Sequence, residues 1–143
     1  MWQYPVLVVV ADEEDRLCDR RFLTGEIVGH YMSEWPTITL GQEDKLGRWS
    51  PEIVLAHELI HAVQDYRGIE LGSEWAEYSA LLWESSVAHE LYPEMHMLAR
   101  QLYETGEPAH VDLCQIGILD IEPFMEAISA RYEEERWARH EGL

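Results

Sequence analysis

Basic residues are scarce in this chain: 10 lysines and arginines stand against 28 aspartates and glutamates, a formal charge of −18 over 143 residues. So negative a surface repels phosphate backbones and anionic lipid, which argues against nucleic-acid and membrane-surface binding. It also raises the local concentration of cations and of basic substrates. Cysteine is scarce as well: Cys18 and Cys114 are the only two and form no C-x-x-C arrangement. They read as small buried hydrophobes, with a single disulfide between them as the alternative, and their rarity favours a reducing compartment. Long apolar runs are missing. The opening "MWQYPVLVVVAD" lacks a basic flank, and its apolar run is too short for a signal segment or a membrane span. It reads as a buried strand of a soluble, cytoplasmic protein. Repeats, low-complexity tracts and linkers are also missing, so residues 1–143 read as one domain.

What is present is globular. The hydrophobic share is 47%, and six tryptophans suggest core and interface packing. "PVLVVVA" (5–11) is a β-branched strand candidate. The acidic stretch after it suits a short helix with Asp12 as N-cap. "EIVGHYMS" (26–33) and "TITL" (37–40) are further strands, and Pro36 demotes the second to an edge or a strand start. "GQEDKLGRW" is a loop.

Ser50-Pro51-Glu52 is a helix start, a capping hydroxyl followed by proline at the first helical position, and that helix should run to about Tyr66 and stop at Gly68. Gly72-Ser73-Glu74 opens a second helix that ends near Pro93. "EMHMLARQLYETG" is a third, ended by Gly106, and "IEPFMEAISARYEEERWARH" carries one or two more. Strands first and helices after give an α+β fold, a small mixed or antiparallel sheet followed by a helical part.

The chemistry concentrates in "VLAHELIHAVQDY" (54–66). On a helix, His57 and His61 lie one above the other at i and i+4 and can present two imidazoles to one metal ion. Glu58 is rotated about 100° around the helix. That keeps it beside the metal but off it, where it can take a proton from a water that the metal has acidified. H-E-x-x-H on an apolar helix therefore reads as a zinc site with a general base.

A catalytic zinc needs a third protein ligand. Arg67 stands where a third histidine of the longer H-E-x-x-H-x-x-G-x-x-H motif would fall. The next helix brings Glu74 and Glu77, three residues apart and nearly on one face, and the spacing leaves both open. Glu74 suits the helix start by its charge alone. Asp65, one turn beyond His61, and Glu84, two turns beyond Glu77, are candidates to support the histidines from behind. A donor for a developing oxyanion could come from His89, Tyr92, His96, Tyr103 or His110, while His30 and His140 have no partner spacing. "PTITL" (36–40) is the candidate edge strand for an extended peptide.

"HELIHAVQDYRG" followed by "AEYSA" resembles the zinc site of gluzincin metallopeptidases, in particular the anthrax lethal factor type and the small ImmA-type peptidases. The resemblance spans Val54 to Ala80, about 27 of the 143 residues. It implies His57, His61 and Glu77 as ligands of one Zn2+, Glu58 as general base, a zincin-like fold, and hydrolysis of a protein or peptide substrate. Leu81 stands where lethal factor-type sites carry a further acid. Two rivals remain at this level. One is a non-catalytic, zinc-stabilised binding or sensor module with a peptidase-like cleft, which would have no use for Glu58. The other is a metal-free helical protein carrying the motif by accident.

Overall fold

A computed structural model describes residues 4–114 and 122–140. The fold is α+β, a four-stranded mixed sheet with five helices. The strands are β1 (Pro5–Val10), β2 (Gly29–Met32), β3 (Thr37–Leu40) and β4 (Ala109–Asp112). The helices are α1 (Arg20–Thr24), α2 (Pro51–Tyr66), α3 (Glu74–Glu90), α4 (Tyr92–Thr105) and α5 (Glu122–His140). Strand order across the sheet is β2-β3-β1-β4. β1 runs parallel to β3, while β2 and β4 are antiparallel to their neighbours. Among the described residues no helix is long and apolar enough to cross a membrane.

Alternation along the strands builds one buried face. Val6 and Val8 of β1, Tyr31 of β2, Ile38 and Leu40 of β3 and Val111 of β4 share a core with Val54, Leu55, Leu59 and Val63 of α2. α2 is consequently buried over most of its length, and α3 and α4 pack against it.

Both helices of the central pair start and stop as local chemistry dictates. The Ser50 hydroxyl accepts from the Ile53 amide, and the Ser73 hydroxyl from the Ala76 amide. α2 ends in a Schellman turn: Ile69 N–H donates to the Gln64 carbonyl, Gly68 N–H donates to that of Asp65, and Gly68 has φ of 76°. That turn folds α3 back against α2.

The structure corrects several expectations. "TITL" is not an edge: β3 lies between β2 and β1. Pro36 precedes the strand and takes part through its carbonyl, which accepts from Leu7 N–H at 2.9 Å, so its missing donor is never needed. Among the described residues the edge on this side belongs to β2. Residues 12–18 form turns instead of a helix, because Asp12 and Asp15 each accept from the amide two residues on. The short helix α1 follows, capped by Asp19.

β4 was not anticipated from the sequence. It returns after three helices to pair with β1. Pro93 sits in the first turn of α4, so the boundary falls at Leu91. The final segment forms one helix, α5. Among the described residues the tryptophans divide between packing and surface positions. Trp75 and Trp83 lie partly buried against the core, Trp35, Trp49 and Trp137 are exposed, and Trp2 lies outside the described residues. Both cysteines are free and half-buried.

Candidate metal centre

α2 and α3 bring His57, His61 and Glu77 together, with one ligating atom from each inside a 4.8 Å cluster. His57 Nε2 and His61 Nε2 are 3.1 Å apart. Glu77 Oε1 lies 3.1 Å from His61 Nε2, and Glu77 Oε2 lies 3.9 Å from His57 Nε2. Four ligands at the usual Zn–N and Zn–O lengths of about 2.1 Å sit roughly 3.4 Å from one another in a tetrahedron. The His57–His61 spacing and that from His61 to Glu77 Oε1, both 3.1 Å, lie close to that edge, so the residues could hold a single small cation.

The imidazoles are oriented from behind. His57 Nδ1 is 2.8 Å from Glu84 Oε2, and His61 Nδ1 is 2.8 Å from Gln64 Oε1. Gln64 is fully buried, and its amide nitrogen donates to the Ala76 carbonyl at 3.0 Å and to Ser79 Oγ at 2.8 Å. Those two bonds use both amide hydrogens, so the oxygen must be the end facing His61, and the His61 proton must sit on Nδ1. A carboxylate acceptor places the His57 proton on Nδ1 in the same way. Two bare Nε2 lone pairs and a carboxylate then converge, an arrangement that a cation stabilises. Burial, helped by the neighbouring His57, lowers the pKa of His61 and so favours the neutral, ligating form.

Glu58 sits beside this cluster and is 6% exposed. Burial first, and then the charges of Glu77 and Glu84, push its carboxyl up to about 8. Two adjoining cavities of about 330 and about 320 Å³ share Gly29, His57, Glu58 and Glu77 in their walls. The first is bounded by β2, through Gly29, His30 and Tyr31, and by Leu71 and Gly72 of the turn before α3.

The remaining expected residues separate. Glu74, the alternative ligand, accepts instead from the Tyr132 hydroxyl of α5 at 3.2 Å. Asp65 does not support a histidine: it accepts from Tyr31 at 2.7 Å and from Tyr4 at 3.4 Å, tying the end of α2 to the sheet. Glu84 takes the supporting role. Of the oxyanion candidates, Tyr103 donates to the Gly41 carbonyl and His96 pairs with Glu52, and none of the five residues lines either cavity.

Gln64, Gly29, His30 and Tyr31 were missed. Gln64 carried a faint signal, a polar residue one turn beyond His61 between Val63 and Asp65 on an otherwise apolar helix. The other three reach the site only because β2 takes the edge. No family model matches this chain, and neither the curated proteins nor the solved structures compared with it include a match.

Proposed function

We propose that this chain is a zinc metallopeptidase of gluzincin type, with His57, His61 and Glu77 as ligands and Glu58 as general base. The observation that carries the reading is the convergence of two Nδ1-anchored imidazoles and one carboxylate beside a buried fourth acid. Two imidazoles and a carboxylate suit zinc among the common divalent ions. Held there, zinc would supply a Lewis acid that acidifies water and polarises a carbonyl.

The chain's own residues would do the rest. The Glu58 carboxylate takes the proton of the attacking water and passes it to the departing amine. Glu84 and Gln64 hold the imidazoles so that Nε2 stays free of its proton and aimed at the centre. The exposed edge of β2 runs beside the cluster, and a peptide would lie along it as an added strand, its scissile bond over Glu58.

A site that merely held zinc would have no reason to bury an extra acid at Glu58. The test is cleavage of a mixed peptide library by the zinc-loaded chain, with and without a chelator, beside Glu58→Gln. Chelator-sensitive cleavage that is lost in Glu58→Gln, with zinc content unchanged, supports the reading. Full activity in Glu58→Gln would overturn it.

A further inference from the structure

The second cavity, on the side of Glu58 away from Leu71 and Gly72, has a mixed lining. Ile27, Trp49, Ile53 and Leu81 provide apolar walls, and four glutamates (Glu26, Glu58, Glu77 and Glu84) provide the polar part. Trp49 and Leu81 are 40% and 58% exposed, a large apolar surface at the lip of a cleft in so charged a protein. Three of the acids already have work: Glu77 faces the histidines, Glu84 holds His57, and Glu58 lies buried between them.

Glu26 is different. It stands exposed in the short segment that leads from Gly25 into β2. Among the described residues no side chain makes a salt bridge with its carboxylate, and Arg21 acts on it only through space. The nearby Arg21 guanidinium is engaged by Asp19 at 2.8 Å, and Arg48 stacks over the Trp49 ring at 5.2 Å without lining the cavity. A divalent ion at the ligand cluster would offset two of the four carboxylate charges and leave the pocket electronegative. Its complement is therefore a group with an apolar stem and a cationic tip.

We propose that this cavity receives a lysine or arginine side chain of the bound peptide, and that Glu26 selects it. The methylenes lie against Trp49, Ile53 and Leu81, and the cation reaches the mouth at Glu26. The acidic surface concentrates such peptides around the cleft. A purely apolar residue would fill the walls but bring no cation into the reach of Glu26. The inference rests on the cleft being a peptide-binding site, as in the peptidase reading, and its test separates the two.

Fluorescein-labelled peptides, identical except for one residue flanking the scissile bond, carry lysine, norleucine, arginine, citrulline or glutamate. Binding to the full chain with one equivalent of zinc is read first by anisotropy, and cleavage is read afterwards. Lysine and arginine should bind about fivefold more tightly than norleucine and citrulline, and glutamate more weakly than all, with the gap narrowing as salt is raised. Glu26→Gln should bring the lysine-to-norleucine ratio to about one, and Glu26→Lys should turn the preference toward glutamate. Equal binding of lysine and norleucine by the unaltered chain would overturn the proposal. So would a lysine preference that persists in Glu26→Gln. Selective binding without chelator-sensitive cleavage would sustain the pocket and defeat the peptidase reading.

Discussion

Gly29 of β2 and Glu58 of α2 approach so closely that no side chain fits between them. A Cβ added at Gly29 would stand 3.1 Å from both Cγ and Oε1 of Glu58, and 2.8 Å from Cγ1 of Val54. The edge strand therefore lies with its backbone against the proposed base, and glycine is what permits it.

Gly29→Ala must push β2 off α2 or displace the Val54 side chain, and it presses on Glu58 as well. Overpacking of this kind costs about 1–3 kcal/mol. Urea unfolding should register a loss in that range, and peptide cleavage should fall by more than the loss of folded protein explains. An alanine variant equal to the parent in both measurements would show that the strand has room to move.

The two histidines depend on different acceptors, and each can be removed separately. Gln64→Leu deprives His61 of its Nδ1 partner, and Glu84→Leu does the same for His57. Either change should weaken zinc binding about 10- to 100-fold in a chelator competition assay. Gln64→Glu keeps an acceptor facing His61 but sets its other oxygen against the Ala76 carbonyl, so it should restore zinc affinity only at a cost in stability. Unchanged affinity in the leucine variants would mean that the orientation of the rings comes from packing alone.

Glu77 and Glu74 should separate cleanly. Glu77→Ala removes a ligand and should reduce bound zinc, by elemental analysis after gel filtration, to well below one equivalent. Glu74→Ala should retain zinc, while losing the hydrogen bond from Tyr132 that helps hold α5 on α3 and about 1 kcal/mol of stability with it. Zinc retained by Glu77→Ala and lost by Glu74→Ala would reverse the assignment.

Burial of Glu58 predicts a pH-dependent penalty in the metal-free protein. Its carboxyl titrates near 4.5 when unfolded and is pushed up to about 8 when folded. Between those values the folded state binds the extra proton, so stability falls as pH rises. The contribution is fully present below about 4.5 and lost once pH has passed through about 8. Glu58→Gln removes this titration. The variant should become more stable than the parent as pH rises from 5 to 8, by up to a few kcal/mol in urea unfolding with chelator present. A gap that stays constant over that range would mean that Glu58 is not desolvated.

Much of the site was legible in the chain itself because its determinants are local. Caps at Ser50 and Ser73, the turn at Gly68 and the i, i+4 spacing of His57 and His61 all act within a few residues, and each stands where the pattern places it. The α+β class follows from the same local signals. What the pattern left open was non-local. Glu74 and Glu77 share a helix face and differ only in what meets them, Tyr132 in one case and the histidines in the other. Asp65 stood ahead of Glu84 as the support for a histidine until the sheet claimed the first through Tyr31 and the α2–α3 packing delivered the second.

The edge strand was misplaced for a similar reason. Hydrophobic alternation marks a strand but carries no information about its neighbours, so the positions of β2 and β3 depended on pairings across the whole sheet. By itself the sequence determined the helix that carries the histidines and the base. The tertiary structure brought Glu77, the acid that the resemblance implied, to the histidines, and it alone decided which groups hold the rings and which strand borders the cleft. Each of those depends on contacts between segments far apart in the chain, where packing and not local propensity sets the outcome.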